Sequence, residues 1–426
     1  MKCSIISIGT ELNLGLITDS NSAYIAEKLS ELGIECNYMF TVPDSKDEIM
    51  NVIRIGMEYS DILILSGGLG PTDDDITRSA AAEATGRKLI RVKALDPTSL
   101  KFIRKKRTED INRRLLRQSQ IPEGSVPIIP RIGSASGFRI EMGDDKFIFC
   151  IPGVPKEMKS MFDSDILPFL ADLGRRKGDS KKGLRIKKTT ILTTDISETE
   201  IEEKIKDLVG EAKKDFIDIG ITASPGLIKI ILVEKAGESQ PPDGNLKQYE
   251  DKICSRLGSH VYGIGNSNIS DNLKSAVEKA GKPLTISAAE SITGGLISSI
   301  ITDTPGSSGF FRGSIISYSL FAKEKVLAID EDLIKSKGAV SREVCMQMAE
   351  KARNLFKTDY SVAVTGFAGP EYEGDDLGLV YCCIIGPSGK CKVFEKRFLG
   401  NRTEIKFRTT QFVLNELRNT IIDGGS

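Results

Sequence analysis

Apolar residues recur along the chain in short continuous runs separated by segments of helical period. Residues 3 to 8, 35 to 41 and 61 to 66 are β-rich. Between the first two lies NSAYIAEKLSELG, whose spacing puts Tyr24, Ile25, Leu29 and Leu32 on one side of a helix. Strand and helix alternating in this way predict a parallel sheet. Two of these strands end in glycine-containing loops, Gly9-Thr10-Glu11 and SGGLGPTDDD at 66 to 75. Ligands of open α/β sheets bind at such carboxyl edges, so the two loops are expected to share a crevice. A basic, glycine-containing stretch near 174 to 188 marks a boundary. Beyond it, Ser197 and Glu200 form a capping-box pattern ahead of Ile201, Ile205, Leu208 and Val209. The segment DFIDIGITASPGLIKIILVEK then reads as two strands around Ser224-Pro225-Gly226, giving a small α+β module with GESQPPDGN, 237 to 245, as one of its loops. GIGNSNIS at 263 to 270 is the next junction. From Asn272 a second α/β pattern begins, with VCMQMAEKARNLF as a helix capped by Ser341, and SVAVTG and LVYCCIIG as strands.

Length agrees with this division, because 426 residues exceed one ordinary core and suit two or three domains. With 40% hydrophobic and 28% charged residues the composition is globular, and no apolar stretch is long enough to cross a bilayer. The opening MKCSIISIGTE runs directly into strand-like residues without the apolar core of a signal peptide, so a cytoplasmic protein is expected, with no membrane partner. Basic and acidic residues balance at 59 each, which removes a global field for nucleic acid or anionic lipid. The local basic runs, Arg104 to Arg107 and Arg175 to Lys188, lack interleaved aromatics and read as a solvated helix face and a linker. Eight cysteines without CxxC spacing, most of them in apolar runs, are expected to be buried free thiols.

Candidate chemistry concentrates in LTISAAESITGG, 284 to 295, where an apolar run breaks into Glu290, Ser291 and the turn Thr293-Gly294-Gly295. A strand-to-helix turn exposes its central side chain, and free N–H groups at the helix start can stabilise an oxyanion or hold a phosphate. The single histidine, His260, lies in an unrelated apolar context, so lysine is the expected proton acceptor. Lys323 follows in YSLFAK together with Tyr318. The structural alternatives are a helix cap for Ser291, a surface lysine opening the helix AKEKVLAI for Lys323, and a plain tight turn for the glycines. In the N-terminal part Gly67, Gly68, Gly70 and Thr72 are suited to cradle phosphate, and Asp74 and Asp75, with Glu11, to hold a hard cation. Here the alternative is that Asp73 to Asp75 open a helix as caps.

Taken together these segments resemble the full-length CinA (competence-damage-inducible) family. IGTELNLG, SGGLGPTDDDIT and PGVPKEM, Pro152 to Met158, are similar to its molybdopterin-binding type of domain. AAESITGG, GSIISYSLFAK, GAVS, VTGFAGP and LGNR are similar to its nicotinamide-nucleotide amidase domain. The resemblance implies an α/β chain of three parts. A molybdopterin-binding-like three-layer domain spans 1 to 172, a small KH-like α+β module 184 to 262, and an α/β amidase domain 266 to 422. It implies hydrolysis of nicotinamide mononucleotide to nicotinate mononucleotide and ammonia, with Ser291 as nucleophile and Tyr318 and Lys323 moving protons. Lysine must be neutral for this, and burial against apolar neighbours such as Phe321 would favour that form. Thr293, Gly294, Gly295, Gly366, Ala368, Gly369 and Arg402 would surround the substrate, with no cofactor needed. For the N-terminal domain the resemblance implies ADP-ribose pyrophosphatase activity at Gly9, Thr10, Glu11, Gly67, Gly68, Gly70 and Thr72. A divalent cation (Mg, Mn or Co) would sit on Asp74 and Asp75. A homodimer is implied. The middle module lacks the GxxG loop with which KH domains clamp nucleic acid, so no nucleic-acid partner is expected. A non-catalytic nucleotide- or molybdopterin-binding scaffold is the competing reading.

The chain departs from the family pattern at four places. Ile292 stands where cysteine is usual, Leu320 where asparagine is usual, and EYEGDDLG after Pro370 replaces a glycine-rich loop ending in Lys-Pro-Val-Gly. PRIGSASGF, 130 to 138, is one residue short of its counterpart, with Arg131 and Ser136 in place of asparagine and proline.

Overall fold

A computed structural model describes residues 1–95, 116–176, 185–236, 245–369 and 376–424. The basic run at 104 to 107, most of the 175 to 188 stretch, nearly all of the 237 to 245 loop and the start of EYEGDDLG lie outside the described residues. The chain forms two compact units, one built on residues 1–187 and the other on 188–234 and 244–426.

In the first unit the three runs read from sequence are β1 (Lys2–Ile8), β2 (Glu35–Val42) and β3 (Ile62–Ser66). A minor pair, β4 (Leu89–Arg91) and β5 (Gln120–Pro122), stands apart, and β6 (Val126–Ile128), β7 (Gly137–Glu141) and β8 (Phe147–Ile151) complete the main sheet. Its order is β2-β1-β3-β8-β7-β6. The first four strands are parallel, but β7 and β6 run antiparallel to their neighbours, so the sheet is mixed. Helices α1 (Thr10–Asn13), α2 (Ser20–Glu31), α3 (Lys46–Tyr59), α4 (Thr77–Ala84), α5 (Pro155–Met161) and α6 (Leu167–Arg176) complete the unit. Alternation along the strands gives each sheet face its own core. Ile6, Ile8, Leu63 and Leu65 pack with residues of α3 and α4, and Cys3, Ile5, Ile62 and Ile64 pack with residues of α2, α5 and α6. These are the three layers.

The second unit begins with β9 (Arg185–Thr193), α7 (Glu198–Lys214), the hairpin β10 (Ile217–Ser224) and β11 (Leu227–Ala236), α8 (Asn245–Leu257) and β12 (Val261–Ile264). This is the KH-like module, a four-stranded sheet of order β10-β11-β9-β12. Its helix α7 starts with the reciprocal Ser197 and Glu200 capping box. The rest holds α9 (Ile269–Lys279), β13 (Ile286–Glu290), α10 (Leu296–Thr302), β14 (Phe311–Ile316), α11 (Glu331–Lys337), α12 (Arg342–Phe356), β15 (Tyr360–Gly366), β16 (Leu379–Ile385), β17 (Cys391–Arg397) and α13 (Arg402–Ile422). Strands β14, β13 and β15 are parallel, and β16 and β17 close the sheet antiparallel. Again there are two faces: Ile286, Ala288, Val362 and Val364 pack with α9, α10 and α13, while Ala289, Ala363 and Cys383 pack with α11 and α12. Ser341 caps α12, its hydroxyl accepting from Val344 N.

All eight cysteines are free thiols; Cys36, Cys254 and Cys391 are only half-buried, contrary to uniform burial. No helix among the described residues is long and apolar enough to cross a membrane.

Candidate active site

Ser291 directly follows β13, with its own N–H donating to Val364 O of β15 (3.1 Å), so the nucleophile candidate sits where two parallel strands end. Ser317 directly follows β14 and is tied to the same edge by its N–H, which donates to Glu290 O at 2.8 Å. The chain then turns through residues 322–326, a single wide helical turn rather than the regular helix expected for AKEKVLAI. That turn brings Lys323 back into the sheet edge, where its Nζ donates to Ser317 O (2.7 Å) and Ser291 Oγ (2.8 Å). Residues thirty-two positions apart are thus in direct contact. Lys323 is 3% exposed, and this burial pulls its ammonium down to about 8 from the usual range. Phe321 is not the cause, since its ring is exposed to solvent.

Tyr318 is placed differently from the expectation. It is exposed, and its hydroxyl accepts from Arg402 Nη2 at 2.6 Å, whereas Lys323 bonds to the two serines. The other arm of Arg402 donates to Gly369 O (2.7 Å), so Tyr318, Gly369 and Arg402 form one cluster at the start of α13. Lys406, one turn further, was not singled out from the sequence; its Nζ would lie 3.5 Å from a methyl group placed on Gly294. A basic residue four positions after Arg402 on a helix was the available signal.

The turn Thr293-Gly294-Gly295 is ordered by its own protein. Gly294 and Gly295 have φ of 59° and 97°, and Gly295 starts α10. The N–H groups expected to face substrate are engaged: Gly294 N donates to Ser291 O, and Gly295, Ile297 and Ser298 donate to the Glu290 carboxylate. Thr293 is fully buried with its hydroxyl on the same carboxylate. Gly366 is close-packed, since a side chain there would meet Leu379 O at 2.6 Å and the Ile292 side chain at 2.9 Å. Ala368 is buried. Of the departures, Ile292 is buried within this packing and Leu320 is exposed. His260 touches Thr194 O (3.3 Å) and not the serine site.

In the N-terminal unit the two glycine loops do border one cavity, of about 390 Å³, lined by Gly9, Glu11, Gly67, Gly68, Gly70, Asp74 and Asp75. Gly67 has φ of 119°, and a side chain there would lie 2.1 Å from Ile8 O, so only glycine lets the loop cross the end of β1. Thr10 is held by Asp44, to which it donates through N (2.9 Å) and Oγ1 (3.0 Å). Arg78 was missed in sequence; buried, it donates to Leu69 O and Ser136 O and ties the glycine loop to the altered 130 to 138 segment.

The three aspartates at the expected cation site are placed differently from one another. Asp73 to Asp75 precede α4 instead of opening it, and Arg117 pairs with Asp73. Asp75 accepts from Gly70 N (2.6 Å) and, on its other oxygen, from Thr72 N (2.8 Å), so it staples the loop. Among the described residues no group of three or more His, Cys, Asp or Glu side chains is placed to hold a metal ion. Asp75 is thus committed to the loop, while Asp74 and Glu11 line the cavity.

Comparison with known proteins covers both units. Residues 4–172 match a family model described as "Probable molybdopterin binding domain", residues 188–263 "Damage-inducible protein CinA KH domain", and residues 267–421 "CinA C-terminal domain". A Halothermothrix orenii protein named as competence-damage inducible is 36% identical over 413 residues, covering 96% of this chain and 96% of its own. A CinA-like protein of Dictyoglomus thermophilum is 34% identical over 432 residues, covering 99% of this chain and 100% of its own. A crystal structure described as the protein CinA with unknown function, from Thermoplasma acidophilum, is 31% identical, with a TM-score of 0.36, covering 38% of this chain and 94% of that one.

Proposed function

The chain belongs to the CinA family across nearly its whole length, and from that premise we propose that its second unit is an amidohydrolase converting nicotinamide mononucleotide to nicotinate mononucleotide and ammonia. The observation that carries the reading is the buried contact of Lys323 Nζ with Ser291 Oγ at 2.8 Å. A surface lysine or a plain helix cap would not bury an amine against a serine hydroxyl, because desolvating a charge is costly.

The geometry supports the following sequence. Neutral Lys323, anchored by one N–H on Ser317 O, takes the Ser291 proton as Oγ attacks the carboxamide carbon. The resulting ammonium protonates the leaving nitrogen, releasing ammonia and leaving an acyl-serine. Lys323, neutral again, activates water to hydrolyse that ester and restore the serine. Arg402 and Lys406 are the cations suited to the substrate phosphate, and Tyr318 orients Arg402 instead of relaying the proton. For the N-terminal unit the proposal is binding of a nucleotide of the ADP-ribose class in the cavity bordered by both loops.

The test is ammonia release in a coupled assay. Wild type is expected to release it from nicotinamide mononucleotide, and Ser291→Ala to lose on the order of a thousandfold in kcat or more. Undiminished turnover in that variant removes the serine mechanism.

A further inference from the structure

Glu290 is fully buried, and among the described residues no lysine or arginine is one of its partners. Its Oε2 accepts from Thr293 Oγ1 (2.8 Å), Gly295 N (3.0 Å) and Ile297 N (3.1 Å). Its Oε1 accepts from Ser298 N (3.0 Å), Ser298 Oγ and Ser314 Oγ (3.3 Å). Every partner is a donor, which a carboxylate satisfies and a neutral amide of the same shape does not. The group therefore binds the end of β13, the turn, the first residues of α10 and strand β14 into one body. Ser291 is the residue next to it, and the Glu290 carbonyl receives the Ser317 N–H beside which Lys323 is anchored.

The arrangement also decides which backbone donors remain. With Gly294, Gly295, Leu296, Ile297 and Ser298 committed within the protein, the N–H groups of Ile292 and Thr293, the two after the serine, have no acceptor among the described residues.

We propose that Glu290 is the positioning residue of this elbow: its carboxylate fixes the turn so that Ser291 Oγ stays on Lys323 while the N–H of Ile292, the residue after the serine, is left for the oxyanion. This rests on the serine acyl-transfer reading above. It differs from simple capping, in which loss of the carboxylate would weaken the fold and leave each folded molecule as reactive as before.

The test uses the full chain carrying Glu290→Gln, which puts an NH2 group among donors. A fluorophosphonate probe, which phosphonylates an activated serine with loss of fluoride, counts competent sites and measures the labelling rate without reference to any amide substrate. Per titrated site, kcat and the labelling rate are expected to fall together by on the order of 100-fold, with KM changed by less than about threefold. Glu290→Asp, which keeps the charge, is expected to recover part of the labelling rate. Wild-type labelling and kcat per site with only a lowered melting temperature would overturn the proposal, as would a rise in KM alone. Should Glu290→Gln not fold, the paired Ser298→Ala and Ser314→Ala variant, which strips both hydroxyls from Oε1, is judged on the same labelling rate: slowed supports, unchanged overturns. A wild-type chain that labels at Ser291 but releases no ammonia would defeat the amide reading and leave this inference standing on the labelling comparison.

Discussion

At the scale of single residues the proposed mechanism makes the charge on Lys323 decide whether the serine can react. Burial holds the ammonium down to about 8, so about a tenth of molecules carry the neutral amine at pH 7. The ammonia-releasing kcat/KM is expected to rise about tenfold per pH unit below that value and level off above it; a flat profile from pH 6 to 9 would remove Lys323 as the base. Stability follows with a definite sign. Between about 8 and the unfolded lysine value near 10.5 the unfolded chain binds more protons than the native one, so stability rises with pH through that window. Below it the full cost of the buried charge is present. Lys323→Met is expected to lack this rise relative to wild type. The serine and the lysine were legible in the sequence because their motifs carry them. Glu290 was visible only as a polar break in an apolar run, since which of several donors a carboxylate meets is set by folding. Tyr318 misled for the same reason: nearness in sequence to Lys323 said nothing of which way its exposed ring turns.

At the scale of elements, the strands could be read from continuous apolar runs and the helices from their period, but direction could not. A run such as Phe147–Ile151 looks the same parallel or antiparallel; what turns β7 against β8 is the short connection through Gly143, Asp144 and Asp145, all with positive φ. For the lysine turn at 322–326 the alternative to a catalytic Lys323 is an ordinary helix, which its residues favour, and the wide turn that carries Lys323 to the sheet edge shows the difference. The loop between β3 and α4 gives a test at this scale. Gly67 holds a φ of 119° directly over Ile8 O, so Gly67→Ala combines backbone strain with a clash and is expected to cost roughly 1–3 kcal/mol or more. Because the loop borders the N-terminal cavity, the same change is expected to weaken ADP-ribose binding measured by calorimetry. Unaltered binding and an unaltered melting curve would mean that the loop moves aside and does not shape the pocket.

At the scale of the whole molecule, the separate cores of the two units make independent behaviour the expectation. Each hydrophobic cluster found among the described residues draws on one unit alone: two flank the N-terminal sheet, one fills the KH-like module, and two flank the C-terminal sheet. Within the second unit the module and the C-terminal sheet are joined. Lys396 Nζ donates to Asp195 at 2.8 Å, the turn at Gly226 lies against Arg408, and Leu192 and Tyr262 belong to the core of the C-terminal sheet. The module should therefore melt with the C-terminal part and not as a third body. Calorimetry of the full chain is expected to show two transitions. Leu63→Ala, at a fully buried position of the N-terminal sheet, removes about 2–5 kcal/mol from its own unit. It should lower one transition and leave both the other transition and the temperature at which ammonia release is lost where they were. A single transition that moves as one with Leu63→Ala, carrying the loss of activity with it, would show that the division into two compact units is not a division in stability.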